Sequence, residues 1–199
     1  MWFKRSASCE TWCVLSQWTI VVPVKGTVAA KSRLAATAEL ALAIALDTVE
    51  AALAVAPVIV VTPAAAPFEA LGARVVADPG GGLSAAVDTG IAAATGNIAV
   101  LLGDLPALRP EELQTALDAA AAHPRAFVPD ADGTGTVLIA STTDHATAFG
   151  AGSAQRHREA GYVELDLPAD SGLRSDVDTA EQLERLRGRL GKRTTAQLP

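Results

Sequence analysis

Short apolar segments alternate with longer helical segments through most of the chain, and this alternation constrains the fold more than any other feature of the sequence. The apolar segments predict strands over residues 18–24, 57–62, 73–78 and 97–104, and the segments between and after them predict helices over 30–54, 66–72, 82–96 and 109–123. The strand segments are apolar on both faces, which is typical of strands covered by helices on both sides. Strands separated by helices indicate βαβ units and a mostly parallel sheet.

The last third of the chain has a different pattern. Residues 125–130 and 136–141 predict two strands joined by a turn that contains Asp-Gly, which favours a hairpin. A short helix over 153–161, a strand over 162–167 and a closing helix over 178–191 follow. We therefore predict one α/β domain over residues 18–191, preceded by a loosely ordered leader, 1–17, and followed by a tail, 192–199.

Composition excludes several classes of protein. Half of the residues are hydrophobic and 19% are charged, which is enough for a full core and unlike a disordered chain. The net charge of −6 provides no general basic field for nucleic acid, and no apolar run is long enough to span a membrane. Cys9 and Cys13 form neither a disulfide framework nor a credible metal site, so we expect a cytoplasmic protein. The sequence does not predict the oligomeric state.

The candidate functional residues follow the predicted strands, because ligands of open α/β sheets bind beyond the carboxyl ends of the strands. These residues are Pro23, Lys25, Lys31 and Arg33 after the first strand, the glycine-rich turn 78–86 after the third, and Gly103 and Asp104 after the fourth. A carboxylate beside a glycine suits a hard cation such as Mg²⁺ that bridges to a phosphate. The simpler alternative is that Asp104 only begins a turn.

The basic and glycine-rich segments also have two interpretations each. Lys25, Lys31 and Arg33 either bind phosphate groups or form a solvated basic loop, and their spacing is not that of a Walker A motif. The turn at 80–83 either lets the backbone approach a nucleotide base or is only flexible. The segments 130–140 and 149–161 combine glycines with Thr and Ser hydroxyls, which suit phosphate oxygens.

Asp176 and Asp178 are separated by one residue just before the closing helix. In an extended segment two such carboxylates point to the same side, so both can face one cation. Asp178 or Thr179 could be the cap of the closing helix, and Ser153 could be the cap of the 153–161 helix. We interpret His157, between Arg156 and Arg158, as part of a basic surface helix, and no Ser-His-Asp or Cys-His arrangement is evident.

Taken together, these segments resemble one known family. The stretches VVPVKGTVAAKSRLA, GDLPAL, PDADGTGTVLIA, FGAGSAQRHREAG and LRSDVDT occur in the order and approximate spacing of the guanylyltransferases of deazaflavin-cofactor biosynthesis, the CofC/FbiD family. The resemblance covers roughly residues 18–190. GDLPAL alone is shared with molybdopterin and sugar-phosphate nucleotidyltransferases, whereas FGxxSxxxH followed by LRxDVDT is more specific. The segment after KSRLA is shorter and richer in alanine than is usual in the family.

The resemblance implies a single-domain, Rossmann-like nucleotidyltransferase fold of the glycosyltransferase-A type, with GTP, Mg²⁺ and a phosphorylated three-carbon acid as ligands. The implied ligands of the metal are Asp104, Asp176 and Asp178. The implied GTP-binding residues are Pro23, Lys25, Lys31, Arg33, Gly80, Gly81, Gly82, Leu83 and Gly103, of which the three basic residues, with Asp104, would be catalytic. Thr136, Gly150 and Ser153 would bind the acid, with Thr134 and Gly152 as alternatives to the first two.

The implied reaction joins GTP to phosphoenolpyruvate or 2-phospholactate with release of pyrophosphate. The phosphate of the acid is largely ionised at neutral pH, so the reaction needs no general base. The sequence does not choose between the two acids, because they differ by a small apolar contact. The alternatives are a molybdopterin or sugar-phosphate nucleotidyltransferase and a nucleotide-binding relative without activity.

Overall fold

A mixed sheet of seven strands organises residues 17–25 and 37–198, the part of the chain that the computed structural model describes. The strands are β1 (Trp18–Pro23), β2 (Val58–Val61), β3 (Arg74–Val76), β4 (Asn97–Leu101), β5 (Arg125–Pro129), β6 (Thr136–Ser141) and β7 (Val163–Glu164). Their order across the sheet is β3-β2-β1-β4-β6-β5-β7. The predicted α/β class and mostly parallel sheet are confirmed.

Only β6 runs against its neighbours in this sheet. Strands β1 to β4 are parallel to one another, β6 is antiparallel to both β4 and β5, and β7 is parallel to β5. The predicted hairpin is therefore confirmed as β5–β6. Because β6 is reversed, its first residue, Thr136, lies at the edge of the sheet where β4 and β5 end.

Helices cover both faces of the sheet. They are α1 (Ala38–Leu53), α2 (Ala66–Glu69), α3 (Leu83–Ala93), α4 (Pro110–Ala120), α5 (Ser153–Glu159), α6 (Ala180–Arg185) and α7 (Lys192–Ala196), with a 3-10 turn at Gly172–Arg174. The predicted helix 30–54 is described only from residue 37 onward, where the Thr37 hydroxyl accepts the Leu40 N–H at 3.2 Å and caps α1.

The apolar core forms two layers because alternate strand residues point to opposite faces. Ile20 and Val22 of β1 pack in the layer that contains Leu113 and Leu117 of α4. Val21, between them, packs in the opposite layer with buried residues of α3 and β5. The strands that carry the candidate residues are thus held by apolar packing on both faces of the sheet.

The C-terminal segment packs against the domain, although the sequence predicted a tail over 192–199. The buried Asp47 carboxylate of α1 accepts the Thr194 N–H at 2.7 Å and the Arg193 N–H at 3.2 Å. Glu50 pairs with Lys192 and Arg193 at 3.0 and 2.7 Å. Helix α7 is thus held by α1 through charged side chains, a contact that sequence periodicity does not reveal.

Two further expectations concern the leader and membrane-spanning segments. The predicted leader, apart from Gln17, lies outside the described residues, as do Cys9 and Cys13. Among the described residues, no helix combines the length and apolar character that crossing a bilayer requires.

Candidate active site

Several of the candidate site residues lie at the edge of the sheet where the parallel strands end. Lys25 follows β1, Asp78 follows β3 and Asp104 follows β4. The start of β6 reaches the same edge, because the Leu102 N–H donates to the Val137 carbonyl at 2.9 Å. The topology therefore brings together segments that are more than one hundred residues apart in sequence.

One cavity at this edge connects the end of β1 with the glycine-rich turn. It has a volume of about 290 Å³, and its lining includes Lys25, Asp78, Gly82 and Leu83. Gly80, Gly81 and Gly82 have φ values of 78°, 86° and 90°, a backbone region that favours glycine. The Asp78 carboxylate accepts the Gly80 N–H at 2.9 Å and fixes the start of the turn. These φ values explain why glycine occupies the turn, and the approach of its backbone to a base stays a prediction.

A second cavity, of about 210 Å³, connects the same β1 end with two acidic residues. It is lined by Lys25, Leu83, Gly103, Asp104 and Asp178, among others. Both cavities are lined by Pro23, Val24, Lys25 and Leu83, so they form adjoining parts of one groove. A cation, Lys25, thus lies between a glycine turn and a pair of carboxylates. Lys31 and Arg33 lie outside the described residues.

Gly103 allows the end of β4 to approach the end of β1. A Cβ atom at this position would lie 3.1 Å from Val24 Cγ2 and 3.4 Å from the Pro23 carbonyl oxygen. A side chain at this position would require the Val24 side chain to shift by a few tenths of an ångström. Gly103 lines the second cavity, and its predicted role in binding GTP stays a prediction.

The segment 176–178 is fixed beside Asp104 by its backbone. The Val177 N–H donates to the Asp104 carbonyl at 3.0 Å, which places Asp176 and Asp178 on either side of this contact. The Gln182 side-chain oxygen accepts the N–H groups of Asp178 and Thr179, both at 2.8 Å. The Thr179 hydroxyl, not the Asp178 carboxylate, caps α6. Of the two predicted caps, Thr179 is confirmed and Asp178 is wrong, and the exposed Asp178 lines the second cavity.

Asp176 is a half-buried carboxyl group whose pKa is strongly shifted. Burial raises its pKa to about 7, and the negative charges of Asp104, Asp130 and Asp178 act in the same direction. Asp176 lines a separate cleft of about 100 Å³, together with Asp132 and Arg185. The structure therefore places Asp104 and Asp178 in one cavity. Asp176 lines a different cleft, but the charges of the other two carboxylates are close enough to raise its pKa.

The donor chemistry of these carboxylates suits a magnesium ion, because Mg²⁺ prefers oxygen ligands and keeps several of its waters. Their mutual repulsion is also the kind that a divalent cation relieves. However, no three Asp, Glu, His or Cys side chains within residues 17–25 and 37–198 are grouped closely enough to hold a metal ion. The magnesium site remains a prediction.

The three predicted acid-binding residues lie where β6 and α5 begin. The Ala154 N–H donates to the Thr134 carbonyl at 3.1 Å, which joins the two segments. Thr136 and Ser153 are buried, whereas Gly150, Gly152 and Thr134 are exposed. The exposed hydroxyl of Thr134 is more accessible to a ligand than that of Thr136. None of these residues lines the two groove cavities.

The interpretation of a basic surface helix predicted an exposed His157, and this prediction is wrong. It is completely buried and packs edge-on against the rings of Phe149 and Tyr162, with centroids 5.5 and 5.2 Å away. Its Nε2 accepts the Ala148 N–H at 3.2 Å, so its Nδ1 carries the proton and donates to Thr136 Oγ1 at 2.9 Å. Burial, and secondarily the charge of Arg156, lower its pKa to about 4. His157 is therefore neutral at physiological pH.

Sequence reasoning missed Asp130 and Arg174. The Asp130 carboxylate accepts the N–H groups of Thr134 and Gly135 at 2.9 and 2.7 Å and closes the β5–β6 turn. Its carbonyl accepts Nη2 of Arg174 at 2.9 Å, which ties this turn to the segment before Asp176. One signal was present: Asp130, like Asp104, is a carboxylate within three residues of the end of a strand.

Comparisons with known proteins show the family to which the chain belongs. Residues 26–166 match the family described as the MobA-like NTP transferase domain, a region that includes Asp104 and ends before Asp176. A protein of Streptomyces scabiei named phosphoenolpyruvate guanylyltransferase is 51% identical over 205 residues, covering 90% of this chain and 95% of the relative. A Streptomyces coelicolor protein of the same name is 52% identical, covering 84% of this chain and 88% of the relative.

The fold is also similar to that of solved structures. A nucleotidyl transferase from Methanothermobacter thermautotroptrophicus superposes with a TM-score of 0.62 at 24% identity, covering 86% of this chain and 96% of the other. This likeness supports the nucleotidyltransferase fold and carries no information about substrates. Together with the sequence relatives, it leads to one conclusion: the chain belongs to the MobA-like NTP transferase family, among relatives named phosphoenolpyruvate guanylyltransferase.

Proposed function

We propose that the chain is a guanylyltransferase that joins GTP to phosphoenolpyruvate and releases pyrophosphate. The observation that carries this proposal is the groove in which Lys25 lies between the glycine turn and the Asp104–Asp178 pair. A nucleoside triphosphate needs these three elements in this order: a surface for its base, a cation for its phosphates, and carboxylates for its metal ion. The choice of GTP and phosphoenolpyruvate follows the names of the relatives.

In the proposed reaction an oxygen of the acid's phosphate attacks the α-phosphorus of GTP. The bond between the α-phosphorus and the oxygen that bridges to the β-phosphorus breaks, and pyrophosphate leaves with that electron pair. The attacking phosphate oxygen carries no proton at neutral pH, because the second pKa of a phosphate monoester is about 6. His157, neutral and hydrogen-bonded on both ring nitrogens, is accordingly not needed as a base.

Charge is the main obstacle to this reaction, since two anions must meet. Lys25 would contact the triphosphate, and Lys31 and Arg33 would add further positive charge. Asp104 and Asp178, which line the same cavity, would hold Mg²⁺, which stabilises developing negative charge on phosphoryl oxygens when bound. Asp176, the third predicted ligand, would add its negative charge from the neighbouring cleft. The glycine turn, with Leu83, would lie against the guanine base. Thr134 or Thr136, with Gly150 and Ser153, would bind the acid.

The reaction would take place in the cytoplasm, where both small anionic substrates are available. It requires no macromolecular partner. Its product, a guanosine joined through a diphosphate to an enolpyruvoyl group, has the activated form that the resemblance to deazaflavin-cofactor biosynthesis implies.

The proposed function is tested by supplying GTP and Mg²⁺ with one acid at a time. We expect pyrophosphate release, and a product of the corresponding mass, with phosphoenolpyruvate. Parallel reactions with 2-phospholactate and 3-phosphoglycerate measure the selectivity for the acid. GTP binding without pyrophosphate release with any of the three acids would contradict the proposal.

The role of Asp104 is tested by the Asp104→Asn variant, with Asp118→Asn as the matched control. Asp118 is an exposed carboxylate of α4 whose hydrogen bond goes to Gln114 of the same helix, at 2.8 Å. We expect turnover to fall about 100-fold or more in the first variant, as for loss of a group that stabilises transition-state charge, and to be unchanged in the second. Calorimetric titration with Mn²⁺ should show weaker binding to the Asp104→Asn variant alone. Wild-type turnover in that variant would exclude Asp104 from the site.

A further inference from the structure

Arg156, on the exposed side of α5, makes an unusual set of contacts with a single loop. Its Nε and Nη2 donate to the Ala148 carbonyl at 3.2 and 2.8 Å, and its Nη1 donates to the Ala151 carbonyl at 2.7 Å. A longer contact of 3.4 Å joins Nη2 to the Phe149 carbonyl. The guanidinium thus occupies the concave side of the loop 148–152.

The neighbouring Arg158 shows that this arrangement is specific to Arg156. Arg158 is also exposed, but it forms an ion pair with Glu164 at 2.6 Å. No carboxylate in the described part of the chain forms an ion pair with Arg156. Its contacts are entirely with backbone carbonyls, so its effect is to set the direction in which those peptides point.

The orientation of the carbonyls fixes the orientation of the adjacent N–H groups. In a trans peptide the carbonyl of one residue and the N–H of the next point in opposite directions. Because the Ala148 and Ala151 carbonyls point at Arg156, the N–H groups of Phe149 and Gly152 point away from it. Neither of these N–H groups donates to another of the described residues.

The loop is held from its other side by the buried core. The Ala148 N–H donates to His157 Nε2 at 3.2 Å, and the Phe149 ring packs edge-on against the His157 ring. Ala148 is therefore fixed through both of its polar backbone groups, the carbonyl by Arg156 and the N–H by His157. Such a loop presents its free donors in one arrangement, which reduces the entropy lost when a ligand binds.

We propose that Arg156 is a positioning residue for the acceptor acid: its guanidinium holds the loop 148–152 so that the N–H groups of Phe149 and Gly152 face the anionic end of phosphoenolpyruvate. This inference rests on the proposed function, which places the acid at Gly150 and Ser153. Four of the five guanidinium N–H donors are used by loop carbonyls, so Arg156 acts through the loop and not by gripping the acid itself.

The test compares Arg156→Lys and Arg156→Met with Arg158→Met as the matched control. Lysine keeps the charge but lacks the planar fork that reaches two carbonyls at once. We expect both Arg156 variants to raise the KM for phosphoenolpyruvate about tenfold or more, the loss typical of charged hydrogen bonds, without changing the KM for GTP. The control variant should keep both KM values.

Binding and stability measurements separate a positioning role from a general structural role. In thermal-shift titrations, phosphoenolpyruvate should stabilise the Arg156 variants less than the wild type, while GTP stabilises all of the proteins equally. An unchanged KM for phosphoenolpyruvate in Arg156→Met would overturn the proposal. A wild-type KM for phosphoenolpyruvate in Arg156→Lys would also overturn it, because charge alone would then suffice. So would a lower Tm of the Arg156 variants with the KM values for phosphoenolpyruvate and GTP raised by the same factor. Inactivity of the wild-type enzyme with phosphoenolpyruvate would instead refute the proposed function.

Discussion

Acidification should destabilise this protein through His157, by an amount that the structure allows to be worked out. The pKa of His157 is about 4 in the folded protein, because the ring is completely buried and, secondarily, because the positive charge of Arg156 disfavours its protonation. In the unfolded chain the pKa returns to about 6.5. Between these values the unfolded state binds a proton that the folded state does not, so the free energy of unfolding falls as the pH falls.

The contribution of His157 is complete above about pH 6.5 and is lost progressively down to about pH 4. Linkage of one proton with these two pKa values predicts a loss of about 2 kcal/mol between pH 7 and pH 5, and about 3 kcal/mol in total. A loss of this size is a considerable part of the stability of a typical domain, about 5–15 kcal/mol. It should be visible in urea unfolding followed by circular dichroism at pH 7, 6 and 5.

Asp176 opposes this effect and must be removed from the comparison. Its pKa of about 7 lies above that of an unfolded aspartate, so the folded state binds the extra proton and gains stability as the pH falls. The wild-type profile alone is therefore ambiguous.

The His157→Gln variant provides the reference, because it retains Asp176 and an amide oxygen that can accept the Ala148 N–H. The stability difference between wild type and variant should shrink by about 2 kcal/mol from pH 7 to pH 5. A difference that stays constant would refute the assignment of His157 as a buried neutral group.

Three further substitutions test the packing and the groove. Gly90→Ala should lower the free energy of unfolding by about 1–3 kcal/mol in urea titrations, because the new Cβ would clash with Val21 Cγ1. This loss should exceed the gain from the better helix propensity of alanine. Equal or greater stability of the variant would contradict the packing of α3 on β1. Asp47→Ala should cost about 1.5–3 kcal/mol, measured in the same way, and make the C-terminus more sensitive to trypsin, because the Thr194 N–H loses a charged acceptor at 2.7 Å; unchanged digestion would show that α7 does not depend on this contact. Lys25→Gln should raise the KM for GTP with little change in Tm, since Lys25 is exposed and lines both cavities of the groove; an unaffected KM would remove Lys25 from the nucleotide site.

The sheet was predictable because its strands carry a strong local signal. Buried strands such as Val58–Val61 are continuous runs of β-branched residues between helices, and the observed ends lie within a few residues of the predicted ones. The positions of Asp104 and Lys25 followed from the same logic, since a residue after a parallel strand must lie at the ligand-binding edge. Local sequence therefore sufficed for the parts of the site that are attached directly to strand ends.

The parts that were missed depend on contacts between distant segments. Whether His157 faces the core or the solvent is decided by the rings of Phe149 and Tyr162 and by the Thr136 hydroxyl, none of which its own short helix reveals. Helix α7 likewise depends on Asp47, which precedes it by more than 140 residues. A charged residue in a helix pattern is read as surface unless its distant partner is known.

The contacts of Asp130, Arg174, Arg156 and His157, which the sequence did not predict, have one effect in common: they hold loops beside the candidate site. A phosphate nucleophile that is already ionised leaves the protein with the task of holding two anions in place, so backbone geometry matters more than proton transfer. Asp130 and Arg174 fix the β5–β6 turn against the segment that carries Asp176, and Arg156 and His157 fix the loop 148–152 from its two sides. In each pair, charged or polar side chains form hydrogen bonds with backbone groups. If substitution of these residues shifted the pH dependence of turnover and left the substrate KM values unchanged, they would serve proton transfer, and an explanation based on positioning would fail.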